Sequence, residues 1–239
     1  MPVNLSRRTV LEGAAAALLL SIGGMAKSAT RQRLLTITYP AGASIRFDEK
    51  YYRDHHARLF MDIYGSAIER FELRTVAQSG AFSALINVWI ADFDKFRALS
   101  TPANYQRMGD DKKNFTNTSS SIQVDEVTYE AGEPRARIPV GCDCLSLLYP
   151  AGAAGAWSDE ARCRAYVDGL KKLQLRRVEL RKGIEQLDDG APAYQGGINL
   201  YARKSFSPND RAVVAELSAK LCSVPPVELN TTVFGISHV

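Results

Sequence analysis

The sequence holds few of the residues, and none of the spacings, that announce a familiar chemistry. Cysteine occurs four times, at Cys142, Cys144, Cys163 and Cys222, and never as Cys-x-x-Cys, so a paired-thiolate zinc site fits poorly. Histidine occurs three times, without His-x-x-x-His or a carboxylate-rich spacing beside it, which removes the helical zinc motif. No glycine-rich phosphate loop follows a strand pattern, and neither a Gly-x-Ser-x-Gly elbow nor a serine-protease arrangement is present. An excess of one charge is missing too. The 30 basic side chains face 26 acidic ones, with no Lys/Arg block carrying interleaved aromatics, so no nucleic-acid surface is expected. Long apolar runs are scarce, and the one near the N-terminus falls short of the roughly 20 residues that a spanning helix needs.

That run has a different reading. Ser6-Arg7-Arg8-Thr9-Val10-Leu11, followed by the apolar stretch from Gly13 to Ile22, has the form of a twin-arginine export signal. Lys27 opens its c-region, and small residues around Ala26-Lys27-Ser28-Ala29 offer a cleavage site. Residues 1–29 are therefore expected to be removed during passage through the twin-arginine translocase. This places the mature protein in the periplasm or outside the cell, free of the membrane. Loss of Arg7, Arg8, Lys27 and Glu12 takes the 30 basic and 26 acidic side chains to 27 and 25, a net charge of +2. In an oxidising compartment the four cysteines permit two disulfides in three connectivities, with buried free thiols as the other reading; the pairing stays open.

What the chain does have is an internal echo. Tyr39-Pro40-Ala41-Gly42-Ala43 recurs as Tyr149-Pro150-Ala151-Gly152-Ala153; Glu72-Leu73-Arg74 recurs as Glu179-Leu180-Arg181; and Ile86-Asn87-Val88-Trp89 corresponds to Ile198-Asn199-Leu200-Tyr201. Three collinear echoes point to a tandem duplication. Each half reads as strand, helix, two strands, helix, strand. Leu35, Ile37 and Tyr39 alternate with Thr36 and Thr38 as in a half-buried strand. Asp48 is positioned to cap the next helix and Ser158 its counterpart, a helical region starts at Asp92, and Ser207-Pro208 opens the last helix. The expected units are 30–132 and 142–239, joined by a polar, proline-marked linker at 133–141.

The densest group of proton-carrying side chains is Phe47-Asp48-Glu49-Lys50-Tyr51-Tyr52-Arg53-Asp54-His55-His56-Ala57-Arg58-Leu59. On a helix, Tyr51 and His55, and Tyr52 and His56, are i,i+4 pairs on neighbouring stripes. At an offset of 110 the second half has Trp157 for Phe47 and Ser158 for Asp48, which keeps an aromatic and a cap. It has Ala161, Arg162 and Tyr166 for Tyr51, Tyr52 and His56, so the candidate site occurs once per chain. His56 is the candidate acid/base, because histidine titrates near neutral pH, and Tyr52 the hydrogen-bond donor. Tyr51, His55 and Tyr39 are the candidate substrate-binding residues around them. No metal site is predicted.

The same segment resembles the signature of the EthD family, small ferredoxin-like proteins of the dimeric α+β barrel group. The family pattern of Phe-Asp, Tyr-Tyr, His and a closing Leu falls on Phe47-Asp48, Tyr51-Tyr52, His56 and Leu59, with Arg58 where proline is usual. A second family-like stretch is Asp111-Lys112-Lys113-Asn114-Phe115-Thr116, in which Asp111 matches an acidic position and joins the substrate-binding candidates. The resemblance covers about Leu34 to Tyr129. It implies an α+β fold in which two ferredoxin-like units pack their antiparallel sheets as an intramolecular, pseudo-dimeric barrel, so that one monomer does the work of a dimer. It further implies an oxidoreductase, or an oxygenase or dehydratase, acting without a cofactor on a small apolar oxygen-bearing compound in the barrel cavity. A non-catalytic periplasmic protein binding a small molecule or haem in that cavity is the alternative. The Gly-x-x-Asp-Gly motif of tandem haem peroxidases is missing, and the sequence assigns no cofactor.

Overall fold

The computed structural model describes residues 32–76, 80–152, 155–186 and 194–236, so the expected export signal and His238 lie outside the described residues. The first half runs β1 (Arg33–Pro40), α1 (Glu49–Tyr51), a π-helical turn (Tyr52–His56), α2 (Ala57–Tyr64), β2 (Ile68–Val76), β3 (Phe82–Ile90), α3 (Phe93–Leu99), α4 (Pro102–Phe115) and β4 (Ser121–Gly132). The second half runs β5 (Asp143–Pro150), α5 (Glu160–Gly169), β6 (Leu175–Gln186), β7 (Tyr194–Ala202), α6 (Pro208–Leu221) and β8 (Val227–Ile236).

Local chemistry accounts for the helix starts. Asp48 accepts from the Tyr51 N–H, Asp92 from Lys95 and Thr101 from Asn104, the last with Pro102 in the first turn, where its missing N–H costs nothing. Ser207 and Asp210 form a reciprocal capping box ahead of α6. One expected cap moves: α5 is capped by Asp159 rather than Ser158, because the Asp159 carboxylate is the group that reaches the Arg162 N–H, at 3.0 Å.

The eight strands close into one barrel in the order β1-β3-β2-β8-β5-β7-β6-β4. Within each half the order is that of a ferredoxin-like unit, and the halves are sewn together by antiparallel β2–β8 and β4–β6 ladders. The Tyr-Pro echo marks the same irregularity twice: the β1–β3 register shifts between Tyr39 and Pro40, and the β5–β7 register between Tyr149 and Pro150. Helices cover the outside. Leu35, Ile37, Phe71, Leu73, Ile86 and Val88 pack under the helices of the first half, and Leu145, Leu147, Val178, Leu180, Ile198 and Leu200 under those of the second.

The alternate faces of the same strands point into the barrel, and they are charged. Arg70, Glu72 and Arg74 on β2 and Arg177, Glu179 and Arg181 on β6 are all 7% exposed or less. Arg70 Nε donates to Glu72 at 2.6 Å and Arg177 Nε to Glu179 at 2.7 Å. Across the lumen Arg74 Nη1 donates to Asn199 Oδ1 at 2.9 Å and to Ser146 Oγ at 2.7 Å, while the Asn87 amide lies between Arg74 and Arg181, with its oxygen, once the amide is turned, accepting from Arg74 at 3.2 Å. Tyr201 donates to Glu72 at 3.1 Å, and Arg135, buried although it lies in the expected linker, donates to Glu179 at 2.8 Å. The echoed Glu-Leu-Arg and Asn residues are thus the ones that meet in the middle.

This overturns the expected barrel cavity. Charged side chains fill the lumen and bond across the space a ligand would need, as buried ions must be paired to be stable, although among the described residues Arg181 leaves Nε and Nη2 without a hydrogen-bond partner. The cysteines are all free and buried, and burial pushes the Cys144 thiol up to about 11.

Candidate functional site

The candidate residues lie outside the barrel, between the helices of the first half and the outer face of its sheet. Tyr39 closes β1 under Phe47, Tyr52 and Phe115, with ring centroids 5.0, 5.9 and 5.7 Å away. Tyr52 is 2% exposed and its phenol is pushed well above its usual value by burial, so it keeps its proton. His56 packs against Tyr52 at 5.0 Å and Phe115 at 4.5 Å. The two i,i+4 pairs are present as ring contacts, Tyr51 on His55 at 4.6 Å being the second.

The backbone does something that i,i+4 reasoning misses. Residues Tyr52–His56 form a π turn, with the Ala57 N–H bonded to the Tyr52 carbonyl. On an α-helix at about 100° per residue, positions i and i+5 lie roughly 140° apart. An i→i+5 hydrogen bond widens the turn and brings i+5 back beneath i. Tyr51 and His56 therefore share a side, and both reach Asp111 on α4. His56 Nδ1 lies 2.8 Å from Asp111 Oδ2, and Tyr51 OH donates to Asp111 Oδ1 at 2.8 Å. Asn114, one turn further along α4, donates to Tyr51 OH at 3.0 Å and to Asp111 Oδ1 at 3.1 Å.

The electrostatics follow from this geometry. Burial lowers the His56 pKa, and the Asp111 carboxylate opposes that without restoring it, so the imidazole is neutral at neutral pH. Burial works to raise Asp111, yet hydrogen bonds from His56, Tyr51 and Asn114 outweigh it and hold the carboxyl below the usual range. A carboxylate acceptor fixes the proton of a neutral imidazole on Nδ1 and leaves the lone pair on Nε2. The result is an oriented base. A metal-bound histidine uses the same carboxylate contact, but among the described residues no group of three or more His, Cys, Asp or Glu is placed to hold a metal ion.

Comparison with solved structures bears on the fold. A proposed monooxygenase of Fusobacterium nucleatum subsp. nucleatum superposes with a TM-score of 0.56 over 89% of this chain and 100% of that one, at 6% identity. The fold is that of the dimeric α+β barrel proteins. An anthrone oxidase-like protein is similar over 87% of this chain and 93% of its own length, with a TM-score of 0.50 and 10% identity. An EthD-like protein of Ralstonia eutropha is 22% identical over 45% of this chain and 99% of its own, but its TM-score of 0.38 adds nothing to the argument. No family model matches the sequence, and no curated protein does.

Of the six candidates, Tyr51, His56 and Asp111 are brought into one hydrogen-bonded cluster, Tyr52 and Tyr39 pack beside it, and the exposed His55 lays its ring, tilted by 33°, against Tyr51. Asn114 is not among the candidates, although Asp111 and Asn114 are i,i+3 on one helix and pair on that ground. The once-per-chain reading needs its alignment adjusted. With Asp159 as the cap, Tyr51 corresponds to Arg162 and Tyr52 to Cys163, whose N–H returns to the Asp159 carbonyl as that of Tyr52 does to Asp48. Trp157 fills the space over Tyr149, at 4.6 Å between ring centroids, that Phe47 and Tyr52 fill over Tyr39.

Proposed function

We propose that this is an exported enzyme in which His56, oriented by Asp111, removes a proton from a small, largely apolar, oxygen-bearing compound. The compound would be held against the helix–sheet layer of the first half. The carrying observation is the 2.8 Å contact between His56 Nδ1 and Asp111, joined to burial that keeps the imidazole unprotonated. Proton removal is the step shared by the two reactions the family resemblance implies. In oxidation the resulting carbanion gives its electrons to dioxygen; in dehydration the His56 imidazolium returns the proton to the departing hydroxyl. Tyr52 supplies a donor that stays protonated. The oxidoreductase-type fold of the monooxygenase and anthrone oxidase-like neighbours supports this class of chemistry.

The same proposal takes residues 1–29 as a twin-arginine signal and the two βαββαβ units, 30–132 and 142–239, as products of duplication acting as one monomer. The test uses the mature protein. Native mass spectrometry and an absorption spectrum identify any retained ligand or haem, and oxygen uptake is followed with anthrone-type substrates. His56→Ala and Asp111→Asn should lose turnover while remaining folded. If His56→Ala turned over substrate, or held the co-purifying ligand, as well as the parent and only its melting temperature fell, the histidine would be a core residue. Ligand retention without any turnover would identify a binding protein instead.

A further inference from the structure

We propose that the crevice between α5 and α6 is a second binding site, one for a single-ring or similarly small carboxylate. The crevice measures about 130 Å³ and is lined by Arg162, Ala165, Tyr166, Leu217, Lys220 and Leu221. It has a reason to exist where it does. The two helices touch at Gly169, where a Cβ would stand 2.7 Å from Leu217 Cδ2, and the crevice opens two turns away at Arg162. Its floor is apolar, with Tyr166 and Leu221 4% and 2% exposed, and the Tyr166 hydroxyl is turned to Ser218 at 3.3 Å.

Size and charge define the ligand. An apolar cavity of about 150 Å³ holds one benzene ring, whereas pockets for larger ligands start near 300 Å³, so a single ring is the upper limit here. At the mouth, Arg162 reaches from α5 to the last turn of α6, where its Nη2 donates to the Lys220 carbonyl at 2.5 Å. That bond fixes the guanidinium beside the opening and commits one of its five donors. Lys220 pairs at 2.8 Å with Glu216, which lies on the exposed face of α6 and also feels Lys172. Glu216 is taken by Lys220 and the Asp159 carboxylate caps α5 at the Arg162 N–H, so among the described residues the Arg162 guanidinium has no carboxylate partner and is the cation left for a ligand at the mouth.

The location adds an independent argument. Counting from the helix caps and ends, Arg162 stands where the first half has Tyr51, Leu217 where it has Asp111, and Lys220 where it has Asn114. In the first half this position is closed by hydrogen bonds around a carboxylate. In the second it is open and cationic, so an acidic ligand fits only there.

Benzoate is the probe, with benzamide as its neutral isostere, titrated into the mature chain and followed by NMR. Benzoate should saturate signals of Tyr166 and Leu217, and benzamide should bind at least tenfold more weakly. Arg162→Gln should weaken benzoate about tenfold, equivalent to about 1.4 kcal/mol, and leave benzamide unchanged. Ala165→Trp, at an exposed lining position, should fill the crevice and abolish both without altering the melt. Benzoate binding should persist in His56→Ala, which separates this site from the first-half reading. Equal affinity for the two probes, unchanged benzoate affinity in Arg162→Gln, or loss of binding in His56→Ala but not Ala165→Trp would each overturn the proposal.

Discussion

Replacing Asp111 by Asn tests the oriented-base reading most directly, because it keeps the shape and removes the charge, while the new amide nitrogen takes the place of the oxygen that accepts from Tyr51 and Asn114. The amide oxygen can still accept from His56 Nδ1, now 2.8 Å from a carboxylate oxygen, so the ring need not move. What goes is the support a nearby anion gives the imidazolium. A hydrogen bond to a charged partner contributes about 1.5–3 kcal/mol, and about 1.4 kcal/mol corresponds to one pH unit. The His56 pKa, already below its ordinary value because of burial, should therefore fall further. A carbon-13 labelled histidine titration of parent and variant measures this directly. Stability has a sign as well. A histidine whose folded pKa lies below its unfolded value, near 6.5, favours folding fully above that value and loses the contribution as pH falls toward the folded pKa. Asp111→Asn should accordingly lose more stability than the parent as pH falls below about 6.5. A His56 titration that is unchanged, or shifted upward, would mean that Asp111 does not act on the imidazole, and the proton-transfer proposal would go with it.

Other outcomes are expected elsewhere. Glu179→Ala removes the acceptor shared by Arg135 and Arg177 and should cost about 3–5 kcal/mol, the range for breaking a buried ion pair, seen in urea melts; a loss below 1 kcal/mol would show the lumen to be wetter than described. Gly196→Ala places a Cβ 2.4 Å from the Trp157 ring and should cost roughly 1–3 kcal/mol through overpacking, whereas Ala84→Gly at the matching place in the first half should cost about 1 kcal/mol or less. Arg7→Lys with Arg8→Lys should leave the precursor in the cytoplasm, and fractionation showing processed protein at normal yield outside would remove the export assignment.

The strands, the two-unit plan and most caps were legible because they depend on short-range rules: period-2 alternation, Asp or Ser before a helix, proline in the first turn. The lumen was not. Arg70, Glu72 and Arg74 alternate with apolar neighbours in the pattern of a strand wetted on one face, and nothing local distinguishes water from an opposing charged strand. The site was half legible. The Tyr51-Tyr52 and His55-His56 doublets marked the right segment, but the convergence of Tyr51 and His56 on Asp111 depends on a π turn that changes the angular count, and on a helix 60 residues away in the chain. A fixed offset of 110 falls on Ser158, one residue short of the Asp159 cap, because the loop before α5 is one residue longer than that before α1.

The two seams of the barrel are chemically unequal, and this gives the assembly a sense of direction. At the β4–β6 seam Asp125 meets Arg181 at 3.0 Å; the ladders put Thr231 at the equivalent place in the β8–β2 seam, where its hydroxyl turns to the Cys144 carbonyl. Two copies of the second half would set Arg181 against Thr231 at both seams, with no counterpart of Asp125, while two copies of the first would keep Asp125 opposite Arg74 at each. Cut at the connection between them, the first half should remain able to pair with itself and the second only with the first. The preference of one half for the other should then depend on this one carboxylate, and mixing separately expressed halves at low and high salt would read it out.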